Sequence, residues 1–441
     1  MQPLNSIRYC YDSHTHFLAT GQTAFELSLR HLKSAKDVKS LLIKPEHFRG
    51  EWLVGFGWNH ELWEGKPWPH KDELDEVFPD TPVFLSRVDG HASWLNSRAL
   101  KILSDQGYDL KKDPQGGRIA RDNQGEPTGV LFDQAHIQAL MMLPDYTDHQ
   151  LESFLIRAGE IFNQGGFTHV RDLSMSYRQW KLQKKLTENK QLNIYCEAFI
   201  TVESVRDLNR GYDEYQNCVS HSSPYLKVKG LKIFIDGSVG SKTAYLSDFY
   251  KGSVNKGILI WSKEDIASAI KFCWAHRMEI AIHAIGDEAV HIAAEAAREV
   301  SAEGLLGKIH IEHAQIVKLE TLLLLKPLHV TVHMQPCQLL SDYAMLVDQI
   351  HHYEERVFQW ELFRKNKIKL SFGSDSPIEP PLLMRNREAL LKFKETKIPQ
   401  FKDDWMHYHR YPTDWGGECT TKFTEDKILE VIFDGDVIVR N

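Results

Sequence analysis

Hydrophobic and polar positions alternate along this chain in a repeating unit, a short apolar run of β character followed by a longer stretch of helical period. The runs are 9–17 (YCYDSHTHF), 167–173 (FTHVRDL), 193–200 (NIYCEAFI), 228–236 (VKGLKIFID), 278–283 (MEIAIH), 309–313 (IHIEH), 329–334 (HVTVHM) and 368–375 (IKLSFGSD), eight in all. Amphipathic segments such as 150–166, 263–277 and 287–304 lie between them, the last ending at Gly304, a residue suited to a helix C-terminus. From the second run onward the spacing averages roughly 30 residues, the repeat that a ~250-residue (β/α)8 barrel implies. Strand–helix alternation favours a parallel sheet, closed or doubly wound. No glycine-rich phosphate loop follows the first run, so a TIM-type (β/α)8 barrel is the prediction.

The gap between the first two runs is too long for one crossover helix. Residues 45–145 are therefore expected to form a large insertion after strand 1, with strands at 52–58 and 82–88, a Trp-rich loop (Trp58, Trp63, Trp68) and a hairpin over 116–132 turning near Asn123 and Gly125. Insertions of this kind sit over the C-terminal rim of a barrel and shape its pocket. Residues 1–385 then form the barrel with its insertion, and residues 386–441 form a C-terminal extension ending in a hairpin around Asp434 and Gly435.

Composition narrows the function. Across 441 residues, 53 Lys and Arg face 60 Asp and Glu, a net charge of −7, so the chain as a whole lacks the basic balance of a phosphate-neutralising surface and nucleic acid is not the expected partner. No apolar run approaches the roughly 20 residues of a membrane span. The first residues carry neither a basic start with an apolar stretch nor a cleavage-like site, so a cytoplasmic protein is expected. The six cysteines form no CxxC pair and are too scattered for a disulfide framework. The 22 histidines do stand out, and their positions decide which matter.

Four of the runs end in a ligand-type residue. The first ends in His14 and His16, two apart and hence on one face of a strand, the fifth in His283, the sixth in His313 and the eighth in Asp375. In a parallel barrel the C-terminal strand ends converge on one rim. Four imidazoles and a carboxylate around one point make a site for zinc or a similar divalent ion. In the fourth run Lys232, Phe234 and Asp236 share a face, and a lysine inside an apolar strand is costly unless paired or modified. One solution is a carbamate on Lys232 bridging two metal ions; Asp236 competes for that role, and an outward-facing Lys232 between helices is the remaining alternative.

The sequence resembles the metal-dependent amidohydrolase superfamily, and within it the branch called amidohydrolase family 3, or YtcJ-like. The resemblance is dense from about residue 50 to 385 and includes GWNHELW, LSRVDGHASWLNSRAL, GGRIARDNQGEPTGVL, LKIFIDGSVGSKTAYL, IAIHAIGDEAV, IEHAQIV, the Met334-Gln335-Pro336 step and FGSDSPIE. It implies a (β/α)8 barrel in which His14, His16 and Asp375 hold one metal, His283 and His313 a second, and Lys232 carries the bridging carbamate. The chain departs from the family at its ends, where only the terminal hairpin resembles the small β-sandwich that members usually carry.

The expected chemistry is hydrolysis of an amide or other C–N bond, or an ester, of a small molecule. A divalent ion lowers the pKa of bound water from about 15.7 to about 7, and Asp375 is placed to move a proton between nucleophile and leaving group. His91, Asn96 and Trp63 in the insertion are candidates to line the pocket, with core packing of a small subdomain as the equal alternative for them, and Asp236 is a further candidate. Two other readings stand beside this one: a mononuclear aminohydrolase or deaminase of the same barrel class, with Lys232 unmodified, and a catalytically silent binding or regulatory protein. One or two divalent ions, zinc first, are the expected cofactors, and association into a homo-oligomer stays open.

Overall fold

Eight parallel strands follow one another around a barrel in chain order: β1 (Tyr11–Thr15), β2 (His169–Met175), β3 (Tyr195–Thr201), β4 (Leu226–Phe234), β5 (Glu279–Ala284), β6 (Ile309–His313), β7 (Val330–Met334) and β8 (Lys369–Phe372). This computed structural model describes residues 4–391, 397–398, 400–413 and 415–441. Seven of the eight pairings are parallel ladders, three of them, around β2 and β3, with a register shift. The eighth, between β1 and β8, is a short seam beyond the strand ends, where His16 N donates to Ser376 O at 2.8 Å and Asp375 N donates to His14 O at 2.8 Å. The seam closes the barrel at the residues that carry the His-x-His pair and the terminal aspartate.

Alternation along the strands divides the side chains. Ile280, Ile282, Ile309, Ile311, Val330 and Val332 point outward and join the main core with the surrounding helices. Helix Asp287–Ala302 shows why those helices form: alanine dominates it, Asp287 and Glu288 lie in its first turn, where the helix dipole favours acids, and its inner face is buried. Gly304 follows with φ +90°, the left-handed turn that ends a helix at a glycine. Inside the barrel the apolar layer is thin, a separate cluster of Leu173, Phe199 and Ala281. The rest of the interior is polar: Arg171, Lys232, His310, Glu312 and His333 are all buried.

A second sheet stands over the C-terminal ends of the barrel, in the order Leu27–Ser28, Trp52–Trp58, Val83–Arg87, Ala92–Leu95, Pro127–Asp133 and Gly117–Arg121, with Phe48–Arg49 along Trp52–Trp58. It starts with a two-residue strand at Leu27, earlier than the expected residue 45. One face buries Leu53, Trp58, Trp63, Leu85, Trp94 and Phe132, and the other packs Val54, Phe84 and Leu131 against helices Ser97–Asp105 and Gln134–Met141. A third, antiparallel sheet joins the two ends of the chain, Asn5–Arg8 pairing with Thr420–Phe423, followed by Ile428–Phe433 and Asp436–Arg440. Asp434 (φ 51°) and Gly435 (φ 88°) form the two-residue turn of its last hairpin, the pair expected there.

Candidate metal centre

His14 and His16, two apart on β1, both reach Asp375 across the barrel seam: His14 Nε2 lies 3.1 Å and His16 Nε2 3.4 Å from its Oδ1. The His313 ring sits 4.6 Å from that of His14 and 4.4 Å from that of His283. His14, His313 and Asp375 each bring one ligand atom within 4.8 Å of the others. His313 (φ 70°) and Asp375 (φ 61°) both have left-handed backbone, a conformation that non-glycine residues adopt at a cost and keep where the surroundings hold them. Lys232 is fully buried within the barrel and its Nζ has no hydrogen-bond partner, lying 4.2 Å from the Phe234 ring centroid. This excludes the outward-facing alternative.

The donor set fits a divalent cation. His14 Nε2 is close to Asp375 yet lacks hydrogen-bond geometry to it, and His313 Nδ1 is likewise buried without a partner. Donor atoms that converge without bonding one another leave a point for a cation, and imidazole with carboxylate suits zinc and its neighbours. Protonation fits a ligand role at His283 and His313, whereas at His14 burial lowers the imidazole but Asp375 and Glu312 outweigh it and raise it from its ordinary range. Burial, reinforced by neighbouring imidazoles, holds His283 and His313 well below the ordinary histidine range, so both are neutral, as ligands must be. Burial pushes the Lys232 ammonium down to about 8 against the pull of Glu312 and Asp375. Burial would raise the Asp375 carboxyl, but the imidazoles of His14, His16 and His313 hold it well below its usual value.

Residues behind these orient them. His14 Nδ1 donates to Glu312 Oε2 at 2.7 Å, which leaves Nε2 as the nitrogen that faces Asp375, and Glu312 Oε1 accepts from Arg171 Nη1 at 2.7 Å. Asp12 Oδ1 accepts from the backbone N–H of His14 at 3.3 Å and of Ser374 at 2.9 Å, tying the end of β1 to the end of β8. Gln338 Nε2 donates to Asp375 Oδ2 at 3.1 Å. His283 Nε2 donates to Gly237 O at 3.2 Å, which fixes the ring. Sequence reasoning passed over Glu312 and Arg171, although a charged residue inside a β run was the signal that singled out Lys232.

Above these groups, between barrel and rim sheet, opens a cavity of about 680 Å³, within the size range of small-molecule sites. His16, His91, His283, His313 and Asp375 line it, as do apolar Val54, Phe56, Phe84, Ile137, Leu140 and Phe234. Of the expected pocket residues, His91 is there, its Nδ1 2.8 Å from Asp133 Oδ1. The other three are corrected. Asn96 is fully buried in the rim domain, its Oδ1 accepting from Val83 N and Ala99 N and its Nδ2 donating to Phe78 O and Thr81 O, so its hydrogen-bonding capacity is spent on capping a helix. Trp63 packs against Trp58, with Nε1 bonded to Leu32 O, so these two are core of the rim domain, Trp68 is exposed, and the apolar cavity wall comes from the other face of that sheet. Asp236 lies one layer behind the cavity, where its carboxylate accepts from the N–H groups of Tyr245, Ile285 and Gly286.

Known proteins share this architecture. The chain is 29% identical to YtcJ of Bacillus subtilis over 384 residues, covering 84% of this chain and 70% of that one. It is 30% identical over 386 residues to the Arabidopsis thaliana protein LONG AFTER FAR-RED 3, covering 83% and 65%. It is 25% identical over 320 residues to the N-substituted formamide deformylase of Arthrobacter pascens, covering 70% and 55%. Among solved structures, an uncharacterized metal-dependent hydrolase from Pyrococcus furiosus superposes with a TM-score of 0.65 at 25% identity, covering 88% of this chain and 77% of that one. These neighbours support a hydrolase role and a divalent metal. The family model described as amidohydrolase family matches residues 11–385, and the chain belongs to that family.

Proposed function

We propose that this protein is a metal-dependent hydrolase that cleaves an amide or other C–N bond of a small molecule held in the rim cavity. What supports the reading above all is that His14, His313 and Asp375 bring ligand atoms within 4.8 Å of one another, His313 and Asp375 lining that cavity and His14 Nε2 buried without a hydrogen-bond partner. His14, His16 and Asp375 would hold one ion, His283 and His313 a second, and a carbamate on Lys232 would join them. A divalent ion bound there supplies a Lewis acid and acidifies water. The chain's own groups do the rest: the rim sheet covers the floor and limits water, the apolar wall receives the substituent on the scissile bond, and Asp375 takes the proton released as water adds and returns it to the leaving nitrogen. The six cysteines are all unpaired and buried, which favours a reducing, cytoplasmic setting.

The Arthrobacter relative's name makes N-substituted formamides the first substrates to test. Zinc-loaded protein should retain one to two equivalents of metal after dialysis and hydrolyse members of that class, and His283→Ala or His313→Ala should lower both. Retention of less than a tenth of an equivalent would overturn the reading. One observation favours a single ion: among the described residues His14, His313 and Asp375 are the one group of three whose ligand atoms all lie within 4.8 Å of one another. That arrangement suits an aminohydrolase with unmodified Lys232, and stoichiometry together with the intact mass of the protein separates the two cases.

A further inference from the structure

We propose that His91 and Asp133 form a substrate-polarising arm supplied by the rim domain, with His91 Nε2–H donating to the carbonyl oxygen of the scissile bond and Asp133 positioning the ring. This deepens the hydrolase reading and rests on it. The barrel provides the metal centre, and the rim sheet closes over it, so any group that meets the substrate from the opposite side comes from that sheet. His91 is such a group. Its ring centroid is 5.1 Å from that of His283, it lines the cavity, and it belongs to none of the apolar clusters of the rim domain.

The local structure fixes the ring in one orientation. His91 leaves strand Val83–Arg87 through the turn at Asp89 and Gly90, and its carbonyl accepts from Asp133 N at 2.8 Å while its Nδ1 meets Asp133 Oδ1 at 2.8 Å. Nδ1 is thereby committed, and Nε2 is the nitrogen that faces the cavity. Asp133 has φ +46°, a backbone state rare for a non-glycine residue and retained where several contacts determine it. Thr243 Oγ1 lies 3.4 Å from the same carboxylate oxygen, and a Cβ on Gly237 would come within 2.5 Å of that oxygen and 2.0 Å of Thr243 Oγ1. The loop holding Gly237 also holds His283 through its carbonyl, so one backbone segment sets the distance between the arm and the metal centre.

The chemistry is that of a donor aimed at developing charge. As the oxygen of water bonds to the carbonyl carbon, the C=O π pair moves onto the carbonyl oxygen, and a preorganised N–H strengthens its hydrogen bond without giving up its proton. Asp133 accepts from Nδ1–H on the far side, so both ring nitrogens donate and His91 acts as the imidazolium, the form that a carboxylate 2.8 Å away favours; the same contact keeps the ring from rotating, the part of a positioning residue.

The test compares His91→Asn, His91→Gln and Asp133→Asn with wild type in zinc content, melting temperature, acetohydroxamate affinity of the zinc-loaded protein, and turnover of an N-substituted formamide. His91→Asn should keep its zinc and melting temperature, bind acetohydroxamate at least about tenfold more weakly, and lose about 100-fold in kcat with little change in KM, the size of effect expected for one such donor. His91→Gln, whose amide reaches toward the Nε2 position, should recover part of the loss, and Asp133→Asn should lower kcat by about tenfold. Undiminished acetohydroxamate affinity and kcat in His91→Asn would overturn the proposal. So would loss of zinc in that variant, which would make His91 a ligand. Zinc-loaded wild type that neither binds acetohydroxamate nor turns over any formamide would instead bring down the hydrolase reading itself.

Discussion

Glu312 shows how a residue that touches no substrate can govern a metal centre. Its carboxylate lies between His14 Nδ1 and Arg171 Nη1, both at 2.7 Å, and is completely buried. Burial alone would favour the protonated acid, but Arg171, with His333 and His14, holds the carboxyl well below its ordinary range, so it stays an acceptor and keeps the His14 ring fixed. Glu312→Gln removes the charge while nearly preserving the shape. Zinc affinity measured by chelator competition should then fall about 10- to 100-fold, the usual cost of losing such an outer partner. Arg171 would be left with Glu197 at 3.5 Å as its remaining acidic partner, and the loss of a buried pair should lower stability by about 3 kcal/mol. Unchanged zinc affinity would show that His14 is oriented by other contacts. At this scale the sequence was legible where chemistry and position coincide: a ligand-type residue at the end of a strand needs little context. Trp63 was ambiguous because an aromatic residue beside polar ones looks alike in a pocket wall and in a small core, and only the second face of the sheet distinguishes them. Arg171 and Glu312 were hidden by the assumption of an apolar barrel interior.

The elements that carry these residues depend on close helix packing. Helix Phe17–Thr23 follows His16 directly and lies against helix Asp148–Gln164 so tightly that a Cβ on Gly21 would come within 1.8 Å of Phe154 O. That neighbour is backbone and cannot swing aside. Gly21→Ala should therefore separate the two helices and cost about 1–3 kcal/mol, seen as a lower urea midpoint, and weaken zinc binding as the end of β1 shifts. Normal zinc affinity in a destabilised variant would show that the His-x-His end is held by the barrel seam alone. A gentler change at the other helix, Thr147→Ala, removes the side-chain cap on Gln150 N and should cost about 1 kcal/mol with no effect on zinc. The barrel strands were legible because buried parallel strands are short apolar runs. Of the first run, 9–17, only Tyr11–Thr15 is barrel strand; Tyr9 turns at φ 53°, and Asn5–Arg8 just before the run pairs with the C-terminal sheet, a strand that the run did not include. The strand at Leu27–Ser28 has two residues and pairs with a strand over twenty positions later, so it leaves no periodic trace in the sequence.

For the whole molecule the question is how two bodies make one site. The barrel holds the metal ligands and the rim sheet holds His91, and Asp89 is the main polar clasp between them. Its carboxylate accepts from Arg87 Nη1 at 2.5 Å and Ser241 Oγ at 2.7 Å, and from Ser238 Oγ, so a rim residue is bound to the loop that follows β4. Gly240 in that loop lets the Arg87 guanidinium approach, since a Cβ there would meet Nη1 at 2.7 Å. Breaking the clasp should divide the two functions. Asp89→Asn leaves Arg87, 2% exposed, without its charged partner, and the interface should open more often than in wild type. Trypsin should then cut faster at exposed rim lysines such as Lys36, Lys39 and Lys112, while zinc content stays at the wild-type level because all the candidate ligands lie on the barrel. Turnover should fall with the docking of His91, and a tight-binding hydroxamate that bridges the two bodies should slow the cutting again. If Asp89→Asn loses zinc together with turnover, the rim sheet is part of the metal centre's own framework and the division of labour between the two bodies is wrong.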